Sequence, residues 1–351
     1  MWLILALLIL SFLVFFHELG HFLVAKIFGV HVEVFSIGFG KKILSKTYGG
    51  TQYAISIIPL GGYVKLKGQD DANPLAFNGD KNSYSTKNHF QKISILLAGP
   101  VFNFVLAFLI YVSVGILGQK AILPIVGGVQ PNMPAAKSLL NENDFILSVN
   151  DKKVKTWQEL NQAIMDAKGN IHIVFQRNGK IMDTKIVPKI MESKNIFGEK
   201  IQRNFIGIVS KGEIGIISYD FFDSIVYAYH QTFQASKMIL EGIEKMISGI
   251  VSVSEVGGVI SILSFISQAS QNGMVTLLIL VALISVNLGV LNLLPIPALD
   301  GGQILFNLYE LFTRRKISEN SLYYLTIFGW ILLIGLMGLG IYNDIHRLVM
   351  Q

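Results

Sequence analysis

MWLILALLILSFLVFFHELGHFLVA, residues 1–25, decides how the chain is to be read. Its first sixteen residues are apolar except for Ser11, and His17, Glu18 and His21 then arrive inside the same apolar run. A removable signal peptide does not fit, because no basic residue precedes the run and no A-x-A-like cleavage site follows it. The alternative is a first membrane-spanning helix that carries ionisable groups. Such groups are costly in hydrocarbon, so their presence points to function. At about 1.5 Å per residue, His17 lies roughly 24 Å from the start of such a helix, deep in a bilayer and toward its far side.

The rest of the chain agrees with a lipid solvent. Of its 351 residues 52% are hydrophobic and 15% charged, and the mean hydropathy is +0.52. Soluble domains carry about 25% charged residues. Disordered, collagenous and disulfide-stapled classes are excluded, and the absence of cysteine removes thiolate catalysis and cysteine zinc sites while leaving the redox compartment open. Three further stretches, Ile93–Leu117, Met274–Leu294 and Ser321–Tyr342, contain no Asp, Glu, Lys or Arg and are long enough to span. The expected fold is a polytopic α-helical membrane protein of about four transmembrane helices.

Lysine and arginine set its expected orientation. Residues 26–92 hold nine lysines against four acids, and Arg314, Arg315 and Lys316 precede the last span. Basic loops stay cytoplasmic, which puts the N-terminus, residues 118–273 and the C-terminus outside. That bias accounts for the net charge of +6 and the pI near 9.2 without nucleic acid as a partner.

Four regions follow: 1–117 with the first two spans and a cytoplasmic-side β region, 118–220, 221–273, and 274–351 with the last two spans. In the first, Val32–Phe39, Gln52–Ile58 and Tyr63–Leu66 are short β-branched and aromatic runs broken by glycines, which predicts hairpins against the membrane. Gln69–Asn88 is polar and Asn/Asp-rich, as in a mobile loop. Between about Ala121 and Lys189 the pattern predicts a compact α+β module. It has a turn-rich start at Gly127 and Gly128, a short helix at Ala135–Leu140 and a strand at Asp144–Val149. A helix at Thr156–Ala167 with Thr156 as N-cap follows, then a hairpin turning at Asn178 and Gly179. Tyr219–Ile250 reads as an interfacial helix, and Val256–Ile266 is too short to span.

His17-Glu18-Leu19-Gly20-His21 is an H-E-x-x-H string. The i, i+4 spacing puts both imidazoles on one helix face, where they can hold two corners of a tetrahedral zinc, with Glu18 beside them as a general base. A third ligand is needed at membrane depth. Asp300, in Asn292-Leu-Leu-Pro295-Ile-Pro297-Ala-Leu-Asp300-Gly301-Gly302, is the candidate. Pro295 and Pro297 should break the third span, and the two glycines should let non-helical backbone turn the carboxylate inward. The bland alternative is a helix-end aspartate facing water, and its pairing with H-E-x-x-H on the same side favours the ligand. Two imidazoles and a carboxylate suit Zn2+, although iron or cobalt would accept the same set. His31, His89, His172, His230 and His346 lack ligand spacing.

These motifs, in this order, resemble the site-2 protease family of intramembrane zinc metalloproteases, of the bacterial RseP type. The resemblance covers nearly the whole chain and makes the central module a single extracytoplasmic PDZ-like domain. It implies cleavage of single-pass transmembrane proteins within the bilayer of a bacterial inner membrane, of anti-sigma factor type, and of remnant signal peptides, with the active site toward the cytoplasm. It also implies that His17, His21 and Asp300 bind zinc, that Glu18 is the catalytic base, and that Asn292 holds the substrate backbone. Gly61, Gly62 and Tyr63 then belong to a membrane-associated β element that pairs with an unwound substrate strand. Gly99-Pro100-x-x-Asn103 resembles a further family pattern, and a helix-packing role fits it equally. Two departures stand out. There is room for one PDZ-like module where relatives often have two, and Glu255-Val-Gly-Gly-Val-Ile260 stands where they often have Gly-Pro-Ile. A non-catalytic membrane scaffold and a metal transporter are the rival readings, and the oligomeric state is open.

Overall fold

The structure is a computed structural model that describes residues 2–69 and 78–350. In chain order it runs α1 (Trp2–Ile27), β1 (Val32–Tyr48), β2 (Thr51–Leu66), α2 (His89–Leu117), β3 (Gln119–Ile122), β4 (Val126–Val129), β5 (Phe145–Val149) and β6 (Lys152–Lys153). Then come α3 (Trp157–Asp166), β7 (Ile171–Arg177), β8 (Lys180–Ile186), β9 (Lys189–Lys194), β10 (Lys200–Phe205), β11 (Ile208–Ser210) and β12 (Ile214–Ile217). Five helices follow: α4 (Phe221–Ile247), α5 (Val259–Gln271), α6 (Met274–Asn292), α7 (Asp300–Thr313) and α8 (Glu319–Met350).

Among the described residues four helices are long and apolar enough to cross a membrane, namely Leu3–Ile27, His89–Leu117, Met274–Asn292 and Glu319–Met350. Only 17% of the most apolar window of α8 is buried against protein, compared with 50% for α2. The Leu, Ile and Phe side chains left uncovered on α8 have hydrocarbon as their natural solvent.

One compact unit takes in Met1–Ser113, Ile225–Glu244 and Ser252–Gln351. In it α1, α2 and α6 pack around Leu13, Leu106 and Val281, while Ala25, Val30, Val32, Leu66 and Ile95 close a second small core where α1 meets the β ribbon. The ribbon is doubly paired in its inner part: Val34 faces both Gln52 and Lys65, and Ile37 faces both Ile55 and Gly62. The three runs read from sequence are therefore pieces of two long strands, bent at Gly38–Gly40 and at Pro59. The Ser11 hydroxyl donates to the Pro59 carbonyl at 2.5 Å, which ties that bend to α1.

The expected mobile loop lies partly outside the described residues. Its described part, from Asn78 onward, is held in place. The His31 amide donates to the Asn82 carbonyl, the Tyr84 amide to the Lys67 carbonyl, and the Ser85 hydroxyl to Asn78. Its short polar side chains close local turns.

A helix that the sequence reading did not separate, α7, follows the α6–α7 loop. This corrects two expectations. Asp300 is the first residue of a helix rather than part of irregular backbone, and Gly301 and Gly302 are helical. A Cβ on Gly301 would stand 2.3 Å from the Leu293 carbonyl oxygen, and one on Gly302 would stand 2.2 Å from that of Ile296. The two glycines allow close approach instead of a turn.

Farther along, the Asp344 carboxylate of α8 accepts the backbone amides of Gly258 and Ser261 at 3.0 and 3.1 Å and the Ser261 hydroxyl. Asn343 donates to the carbonyls of Val253 and Val256. The first turn of α5 is thus capped by a side chain from a distant helix, which satisfies amides that a helix start leaves open.

The second unit is Val114–Ser224 with Lys245–Val251. A four-stranded sheet of order β6-β5-β7-β8 buries Ile146, Ile171, Ile173 and Phe175 against Leu160 of α3. Alternate burial along β7 matches the period of a strand with one covered face. Thr156 caps α3 by accepting the Glu159 amide at 3.1 Å, and Glu159 reciprocates to the Lys155 amide. The turns at Asn150-Asp151 and Asn178-Gly179 adopt positive φ throughout, as tight hairpins require. Strand structure also reaches beyond the span read from sequence, in separate two-stranded sheets. Residues 126–129 form β4 rather than a turn, and β4 and β3 pair with β11 and β12. The expected short helix is one 3-10 turn at Pro134–Lys137.

Candidate metal centre

The i, i+4 spacing on α1 brings the His17 and His21 Nε2 atoms within 3.2 Å of each other. Asp300 arrives from the start of α7, with Oδ2 at 3.3 Å from His17 Nε2 and 3.5 Å from His21 Nε2. All three side chains are nearly buried. A tetrahedral zinc with bonds of about 2.0–2.1 Å spaces its ligand atoms by about 3.3 Å. The three atoms therefore already stand at corners of such a tetrahedron, and the donor set of two imidazoles and a carboxylate fits zinc.

Space for an ion comes from the facing helix. Gly99 of α2 lies directly over the imidazoles, where a Cβ would be 2.3 Å from His21 Nε2 and 2.8 Å from His17 Cε1. His21 Nδ1 lies 2.8 Å from the Ile95 carbonyl oxygen. A carbonyl only accepts, so Nδ1 carries the proton and the Nε2 lone pair faces the cluster. On the other side Asn103 of α2, fully buried, places its side-chain amide 3.1 Å from His17 Nδ1.

Glu18 points to the β ribbon. Its Oε2 accepts the Val64 amide at 3.0 Å. Val64 also pairs with Phe35 of β1, so residues 62–66 form a sheet margin whose outer side meets Glu18. Nothing in the sequence announces this contact, because the donor is main chain. Gly61, Gly62 and Tyr63 line the same cavity of about 430 Å³ as Glu18, Asn292 and Asp300, and Tyr63 stacks on Phe39 with ring centres 6.1 Å apart. The structure thus gathers every sequence-predicted site residue around one cavity. The remaining histidines stay apart from it: His89 approaches Asn307, and His172 pairs with Asp183.

Apolar spans around two histidines and an aspartate that could hold a metal ion, with a glutamate beside them, are the make-up of a membrane-embedded zinc metalloprotease. The sequence profile of Peptidase family M50 matches residues 5–336, and the chain belongs to that family, which is the site-2 protease family. A protein of Campylobacter jejuni named as a zinc metalloprotease is 45% identical over 342 residues, 97% of this chain and 92% of that relative. One from Helicobacter pylori strain J99 is 40% identical over 99% of both chains, and one from Clostridium acetobutylicum is 32% identical over 95% and 94%. A solved PDZ domain of an SdrC-like protein from Listeria monocytogenes is 22% identical, covers 26% of this chain and 86% of its own, and has a TM-score of 0.20.

Proposed function

We propose that the protein is an intramembrane endopeptidase that cuts single-pass transmembrane proteins within the bilayer, with His17, His21 and Asp300 as zinc ligands and Glu18 as general base. The observation that carries this reading is the tetrahedral spacing of the three ligand atoms, 3.2 to 3.5 Å, inside apolar spans and beside Glu18. Zinc, when bound, supplies a Lewis acid that polarises a carbonyl and lowers the pKa of water to about 7. Glu18 takes the proton of the attacking water and passes it to the leaving amine. The Val64 amide holds the carboxylate in orientation for both transfers.

A transmembrane helix has its peptide groups occupied, so it must unwind before its backbone can be cut. The margin formed by Gly61, Gly62, Tyr63 and Val64 offers main-chain groups to an extended substrate, and Asn292, which lines the same cavity, offers a side-chain amide to its backbone. The substrates proposed are trimmed membrane proteins of anti-sigma factor type and remnant signal peptides. The protein sits in a bacterial inner membrane with the PDZ-like unit outside and the metal centre toward the cytoplasm, as the lysine distribution favours.

The test is mass spectrometry of a single-span substrate incubated in detergent with wild-type protein or with Glu18→Gln. Cuts inside the apolar segment by wild type and none by the variant are expected. Equal cutting by both would remove Glu18 from its role, and no cutting by zinc-loaded wild type of several substrates would favour the scaffold reading.

A further inference from the structure

We propose that Asn103 is a positioning residue for the metal centre, whose side-chain carbonyl accepts the Nδ1 proton of His17 and so turns the Nε2 lone pair toward the zinc; this rests on the ligand assignment above. The starting point is donor and acceptor accounting. His17 and Asn103 are both buried, and the pair is joined through His17 Nδ1 and the Asn103 amide nitrogen at 3.1 Å. In that arrangement the amide donates, Nδ1 must be the acceptor, and the His17 proton resides on Nε2. The Asn103 Oδ1 atom is then buried with no hydrogen-bond partner among the described residues.

A ligating Nε2 cannot carry a proton, so in the loaded centre the His17 proton moves to Nδ1. Two donors would then face each other across 3.1 Å. Rotating the amide by half a turn leaves its shape unchanged and presents Oδ1, so the contact becomes Nδ1–H donating to a carbonyl oxygen. The one amide atom left without a partner becomes Nδ2 instead of Oδ1, so the rotation adds no new orphan. The result repeats what main chain already does for His21, whose Nδ1 faces the Ile95 carbonyl at 2.8 Å. Both imidazoles are then oriented by oxygens of α2, one from the backbone and one from a side chain.

A second contact holds Asn103 in place. Ser285 of α6, also fully buried, donates its hydroxyl to the Asn103 backbone carbonyl at 2.8 Å. The amide therefore reaches His17 from a point at which α2 and α6 are joined, and it shares in the packing of three spans. Helix packing alone requires no amide aimed at a ring nitrogen.

The experiment uses the full-length protein in detergent as wild type, Asn103→Leu and Asn103→Asp, with zinc affinity measured by competition against a chelator. The melting temperature of each metal-free form is recorded beside it. Removing an outer partner of a metal-bound histidine costs about 10–100-fold in metal affinity. Asn103→Leu should lose that much, while Asn103→Asp, whose carboxylate accepts the same proton, should stay within about threefold of wild type. Equal losses in Leu and Asp variants, or an unchanged affinity in the Leu variant, would overturn the proposal. Should the Leu variant fail to fold, nitrogen NMR of 15N-histidine-labelled, zinc-loaded wild type and Asn103→Asp decides: the His17 Nδ1–H resonance must shift when its acceptor changes from amide to carboxylate, and an unchanged resonance refutes the contact. Failure of the ligand assignment looks different, because wild type itself would then bind no zinc or His17→Ala would bind it unchanged.

Discussion

Replacing Gly99 with alanine adds one methyl group directly against the two imidazoles of the proposed metal centre. The new Cβ would stand 2.3 Å from His21 Nε2, whereas ordinary contact begins at 3.4 Å, so the imidazole must retreat by about 1.1 Å. Metal–ligand distances tolerate about 0.2 Å. His21 has little freedom to comply, because its Nδ1 is bound to the Ile95 carbonyl on the same helix that carries the methyl. The expected result is a loss of zinc affinity of at least about 100-fold, equivalent to about 2.8 kcal/mol. Alanine is a good helix former, so α2 itself should survive and the metal-free protein should melt within a few degrees of wild type. Zinc content after gel filtration against a weak chelator, measured together with circular dichroism, is the assay. Stoichiometric zinc in a folded Gly99→Ala protein would refute the placement of the ligands under Gly99.

Chelation of zinc from wild-type protein should lower its melting temperature, since an ion present at a hundred times its Kd contributes about 2.7 kcal/mol, and scanning calorimetry with and without chelator measures this. Asp344→Ala should destabilise the membrane unit by about 2–3 kcal/mol, because it strips two backbone amides and a hydroxyl of their acceptor; denaturation in mixed detergent tests it. In the second unit the Asn195 amide and then the Lys245 ammonium hold the Glu199 carboxyl below its ordinary range. A lowered carboxylate stabilises the fold above its unfolded pKa, and that contribution fades as pH falls through the lowered value. The difference in melting temperature between wild type and Glu199→Gln should therefore be full at neutral pH and vanish in acid.

The parts legible in the sequence were those written in side-chain periodicity and in local motifs. Three spans could be read because each is a long run without charge, the first as an apolar run interrupted only by His17, Glu18 and His21, and α3 because Thr156 offers an N-cap ahead of an apolar face. His17, Glu18 and His21 were visible as a string, and Asp300 through its company. Long-range main-chain contacts were invisible. The Val64 amide on Glu18, the Ile95 carbonyl on His21 and the double pairing of Val34 all involve groups common to every residue. The status of α7 was obscured by Gly301 and Gly302, whose low helix propensity suggested a turn, yet tertiary contact with the Leu293 and Ile296 carbonyls requires their missing side chains. β4 was hidden for a similar reason, as Gly127 and Gly128 look like turn residues until β11 lies beside them.

The capping of α5 by Asp344 has a consequence for biosynthesis. A helix that supplies its own N-cap can close as soon as its first turns leave the ribosome. The amide of Ser261 finds its acceptor 83 residues later in the chain. During synthesis α5 must therefore wait with open amides while α6, α7 and nearly all of α8 are made and inserted. The last span acts as a latch on a segment already delivered to the membrane, and a chain truncated a few residues before Asp344 would carry every group of the metal centre yet leave α5 unfastened.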